Sequence, residues 1–122
     1  MENIKLLICD DSALERRRMI NFLTDLGYTD VHEASNGIEA VSLYKEVNPD
    51  GVFLDIVMPK KDGIEVVKDI IAYDSSAKII MVSSVGTQAH LKAALEAGAC
   101  DFIQKPPSSE DLDGIINRVI RG

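Results

Sequence analysis

The sequence predicts an α/β domain built as a doubly wound parallel sheet with helices on both faces. Three observations predict it. Five short apolar runs recur along the 122 residues. The first, third and fourth are continuously apolar, as strands covered on both faces are. A helical pattern follows each run, and five β-α units joined by right-handed crossovers give a three-layer sandwich. Residues 1–122 suit one domain.

The first run, residues 6–9, ends in Asp10-Asp11. Ser12-Ala13-Leu14-Glu15 reads as a capping box that opens a helix to about residue 26, stopped by Gly27. Its apolar positions Leu14, Met19, Ile20, Phe22, Leu23 and Leu26 leave Arg16, Arg17 and Arg18 on an outward, solvated face. The second run, 31–34, is half polar and suits an edge strand. Asn36-Gly37 then starts a helix over 38–47, ended ahead of Pro49. Run 52–54 ends in Asp55, and Gly63 precedes a helix over 64–72. Run 79–82 leads into Ser83-Ser84, followed by a helix over 87–97 closed by Gly98. Phe102-Ile103 leads into Gln104-Lys105-Pro106, and Ser108 or Ser109 caps a last helix to about residue 120. Glu110 and Asp111 fall in its first turn, where negative charge meets unpaired N–H groups.

Composition narrows the function classes. The net charge is −7, from 20 acidic and 13 basic residues, whereas a phosphate backbone requires many clustered Lys and Arg; the run Arg16-Arg17-Arg18 could form a basic patch but reads first as a solvated face. Direct nucleic-acid binding is therefore not expected. Cys9 and Cys100 read as small core residues, with no zinc-type spacing and no expected disulfide, which fits a reducing cytoplasm. No apolar stretch approaches the ~18 residues of a membrane span, so no membrane partner is expected.

In doubly wound sheets the ligand crevice lies beyond the carboxyl ends of the strands. That edge collects Asp10, Asp11, Asp55, Ser83 and Lys105. Two like charges ~5 Å apart repel by about 3 kcal/mol at an effective dielectric of 20, so a fold keeps such a cluster when a cation or a function compensates. Few, hard oxygen ligands suit Mg²⁺. Asp55 can then serve as an oxygen nucleophile that accepts a phosphoryl group as an acyl phosphate. Mg²⁺ held by Asp11 and Asp55 would neutralise charge, with Lys105 and Ser83 contacting phosphoryl oxygens. Two other classes use related parts. A haloacid-dehalogenase-type phosphatase needs Asp-x-Asp after its first strand, whereas here Asp10 and Asp11 are adjacent. A flavin carrier needs a Ser/Thr/Gly phosphate loop there, and two aspartates would repel that phosphate.

Taken together, the chain resembles the CheY-like receiver domains of two-component response regulators. The resemblance rests on Leu7-Ile8-Cys9-Asp10-Asp11-Ser12, on the segment 53–63 around Asp55, and on Ser83, Ala97-Gly98-Ala99 and Lys105-Pro106. It implies a flavodoxin-like sheet of order 2-1-3-4-5. It further implies that Asp55 is phosphorylated, Asp11 ligates Mg²⁺, Asp10 holds metal waters, and the Val57 carbonyl is a third ligand. Ser83 is implied as the switch hydroxyl, Phe102 as the switch aromatic, Lys105 as the phosphate-binding lysine, and Lys105-Pro106 as a cis bond. Phe102 has a second reading, as an aromatic packed under the fourth helix.

The resemblance also implies a histidine kinase as phosphoryl donor, a protein target, and a monomer or weak dimer. A phosphoryl group adds about −1.5 to −2 charge. Drawing Ser83 toward it would move loop 84–87, make room for Phe102, and reshape the face of helix four, strand five and helix five. Lys92, Glu96, Phe102 and Gln104 are candidate readout positions on that face, although Lys92 and Glu96 read first as an ordinary solvated helix face. Met81-Val82-Ser83-Ser84 and the alanine-rich fourth helix resemble chemotaxis members. Val57 and Val85, apolar beside the site, are expected to slow loss of the phosphoryl group.

Overall fold

A computed structural model describes residues 3–84 and 86–122; Val85 lies outside the described residues. The elements are β1 (Lys5–Cys9), α1 (Ala13–Asp25), β2 (Asp30–Ala34), α2 (Gly37–Val47), β3 (Gly51–Asp55), α3 (Gly63–Tyr73), β4 (Ile79–Ser83), α4 (Gln88–Ala97), β5 (Asp101–Gln104) and α5 (Ser109–Ile115), which continues as π-helix through Ile116–Ile120. All strand pairs are parallel, in the order β2-β1-β3-β4-β5. The expected topology and edge position of β2 are thus observed.

Alternation along the strands splits the core in two. Leu7, Cys9, Val52, Leu54 and Met81 face Ala40, Tyr44, Val66, Val67, Ile70 and Ala94 of α2, α3 and α4. Leu6, Ile8, Phe53, Ile80 and Val82 face Met19, Leu23, Leu112 and Ile115 of α1 and α5. Each such large side chain withdrawn from water contributes about 1.5–3 kcal/mol before entropy is counted.

Helix starts are fixed by side-chain caps. Ser12, Asn36, Asp62 and Ser108 each accept from the backbone N–H three residues on. At Ser108 the backbone N–H in turn donates to the Asp111 carboxylate, which completes a capping box. Two helix starts also need glycine. A Cβ on Gly37 would collide with the Lys61 carbonyl, and one on Gly63 would lie 2.6 Å from the Ile56 carbonyl oxygen. Backbone thus packs directly on the loop that follows β3.

The structure corrects three expectations. Leu14 is 67% exposed, because the buried face of α1 is carried by Met19 and Leu23 further along the helix. Arg16, expected to face outward, folds back along α1, and its side chain is only 16% exposed. Cys100 is exposed rather than in the core, although Cys9 is buried and neither forms a disulfide. No helix among the described residues is long and apolar enough to cross a membrane.

Candidate functional site

Register brings the strand ends together. Cys9 lies beside Leu54, Asp55 beside Val82, and Ser83 beside Gln104. The residues just past those positions therefore converge on one edge. Asp10, Asp11 and Asp55 each offer an oxygen within 4.8 Å of the others. Asp10 is buried, Asp55 is 9% exposed, and Asp11 opens to solvent.

Lys105 closes the cluster. Its Nζ lies 2.9 Å from Asp10 Oδ2 and 3.2 Å from Asp55 Oδ2. Burial alone would lower the lysine pKa, but bonding to Asp10 and the charges of Asp55 and Asp10 outweigh it and leave the pKa raised. Asp55 is raised from the ordinary carboxylate value, chiefly by burial and then by the charge of Asp10. Lys105 and the Val57 backbone N–H oppose that rise. Asp55 is thus a carboxylate held at an energetic disadvantage, which is the condition of a reactive oxygen nucleophile.

The donor set fits a small hard cation. Three carboxylates share one pocket, one of them open to solvent, and a single ammonium neutralises only part of their charge. Asp10 is committed elsewhere: its Oδ1 accepts from the Ser12 N–H at 2.9 Å, and its Oδ2 meets Lys105. Asp11 and Asp55 are the better placed for direct ligation. Val57 sits in the bend just after β3 and is 57% exposed.

Two of the sequence-derived residues stand apart from the charged cluster. The Ser83 hydroxyl donates to the Ile103 carbonyl at 3.4 Å rather than to Asp55. Its backbone carbonyl accepts from the Lys105 N–H at 2.7 Å, so β4 and the lysine are mechanically joined. Phe102 is 45% exposed, which overturns the reading of an aromatic packed under α4. Lys92, Glu96 and Gln104 are exposed as well. The Lys105-Pro106 bond is cis. Sequence reasoning missed Arg16, whose Nη1 donates to the Asp10 carbonyl at 2.6 Å and whose Nε donates to Glu33 Oε1 at 3.0 Å. The only signal was its position one turn beyond Asp11, and its arginine neighbours obscured it.

This pocket lies at the carboxyl edge of a 2-1-3-4-5 sheet, where doubly wound folds bind their ligands. Residues 6–117 match the response regulator receiver domain, and the chain belongs to that family, the receiver domains of two-component systems, which act as phosphoacceptor switches. It is 44% identical over 115 residues to the chemotaxis protein CheY of Thermotoga maritima, covering 94% of this chain and 96% of that one. Among solved structures it resembles the CheX–CheY–BeF3–Mg²⁺ complex from Borrelia burgdorferi, with a TM-score of 0.85, 36% identity, and coverage of 94% of this chain and 88% of that one. It also resembles the receiver domain of a Pseudomonas aeruginosa sensor histidine kinase with magnesium in its active-site cleft, with a TM-score of 0.90, 25% identity, and coverage of 99% and 100%.

Proposed function

We propose that residues 1–122 form one receiver domain in which Asp55 accepts a phosphoryl group from the phosphohistidine of a histidine kinase. The observation that carries this is the single pocket holding Asp10, Asp11, Asp55 and Lys105. An Asp55 carboxylate oxygen attacks phosphorus, a P–O bond forms, the P–N bond breaks, and the imidazole leaves and takes up a proton. Asp11, Asp55 and the Val57 carbonyl would hold Mg²⁺, with Asp10 directed to its waters, and the ion would neutralise charge on the transferring group. Lys105 is already at the carboxylate and needs only a small shift to meet a phosphoryl oxygen.

The chain in this reading promotes its own phosphorylation and dephosphorylation stoichiometrically rather than turning over a phosphate ester. Ser83 gives up the Ile103 carbonyl for the phosphoryl group, and Phe102 turns inward from its exposed position. The face of α4, β5 and α5 then changes shape for a protein target, in the cytoplasm. The CheY relatives favour an output in chemotaxis.

The test is incubation with acetyl phosphate and Mg²⁺, read by intact-protein mass. One phosphoryl adduct is expected on the wild type and none on Asp55→Asn. Undiminished labelling of Asp55→Asn would overturn the assignment.

A further inference from the structure

We propose that Arg16 is a positioning residue for the cation-binding turn, holding the Asp10 carbonyl so that Asp10 and Asp11 present their carboxylates to one pocket. This rests on the reading that those aspartates hold Mg²⁺.

Every polar group of Asp10 is engaged. Its N–H donates to the Ala34 carbonyl at 3.1 Å, its Oδ1 accepts from Ser12 at 2.9 Å, and its Oδ2 meets Lys105 at 2.9 Å. The carbonyl is the remaining group, and Arg16 Nη1 takes it at 2.6 Å. That carbonyl shares a rigid plane with the Asp11 N–H, so fixing it fixes where the Asp11 backbone departs. Asp11 itself is exposed.

Arg16 is suited to the task because its planar fork addresses two partners in a set geometry. Nε is anchored on Glu33 of β2 at 3.0 Å while Nη1 reaches β1's end. The guanidinium thereby ties the metal turn to the neighbouring strand. Its charge acts in the opposite direction, since a cation beside the pocket opposes a second cation. The two roles therefore predict opposite signs when the charge is removed.

The experiment compares wild type, Arg16→Met and Arg16→Lys by calorimetric titration with MgCl₂ and by amide hydrogen exchange in metal-free buffer. Arg16→Met is expected to weaken Mg²⁺ binding about tenfold, the low end of what losing a contact behind a metal ligand does, even though a positive charge has gone. It should also speed exchange of the Ser12 amide while core strand amides stay protected. Arg16→Lys keeps the charge without the fork and should weaken binding at least about twofold by the same reasoning; it carries the test if Arg16→Met does not fold. Unchanged or tighter Mg²⁺ binding in both variants overturns the proposal. Failure of the wild type to bind Mg²⁺ would instead sink the cation-site reading, and the Ser12 exchange would still judge Arg16.

Discussion

Removing one carboxylate from the pocket should make the metal-free protein more stable. In Asp11→Ala the lost group faces two carboxylates and one ammonium, which leaves one net negative charge opposing it. At 4.8 Å, the outer limit of the separation, one like charge costs about 3.5 kcal/mol at an effective dielectric of 20 and about 0.9 kcal/mol in bulk water. Asp11 is exposed, so the lower half of that range applies, about 1–2 kcal/mol. For a domain of 122 residues that corresponds to a rise of roughly 4–8 °C in the melting midpoint. The assay is a thermal melt in EDTA at low ionic strength, where screening is weakest. Saturating Mg²⁺ should reverse the order, since a ligand at a hundred times its Kd stabilises the protein that binds it by about 2.7 kcal/mol. A midpoint for Asp11→Ala equal to or below the wild type in EDTA would refute the electrostatic reasoning.

Two further outcomes follow from the same pocket. Because the Asp55 pKa is raised in the fold, its favourable contribution is present below the unfolded value of 3.8 and is lost as pH rises through the folded value. Asp55→Asn should therefore be more stable than wild type at neutral pH in EDTA, and denaturant melts across pH should show the gap closing below about 3.8; a gap independent of pH contradicts this. Val57→Asn should lose its phosphoryl label several-fold faster, because an amide at the exposed position 57 can orient the attacking water. Label decay followed by mass spectrometry checks it, and an unchanged or slower rate counts against the role given to Val57.

Much of this was legible in the chain because the fold writes itself in runs and caps. Continuous apolar stretches marked β1, β3 and β4, and Ser12, Asn36 and Ser108 marked where helices begin. The acidic pocket was legible because strand ends in a parallel sheet share one edge, so Asp10, Asp11, Asp55 and Lys105 could be grouped across distant positions. Side-chain direction was not legible. Periodicity assigned Leu14 to the core and Arg16 to water, and the structure reverses both: α1 buries Met19 and Leu23 instead, while an arginine is long enough to fold back to a carbonyl. The hydroxyl of Ser83 was equally beyond reach, because its partner Ile103 sits on a different strand and carries no sequence signal.

The close approach of two helix starts to the segment after Asp55 has a broader effect. Gly37 and Gly63 let bare main chain meet main chain, with no flexible side chain between to absorb a shift. The acceptor's immediate surroundings are thereby keyed to the placement of α2 and α3. Chemistry at Asp55 is open to perturbation from changes one helix away, through positions that carry no charge and touch no phosphate.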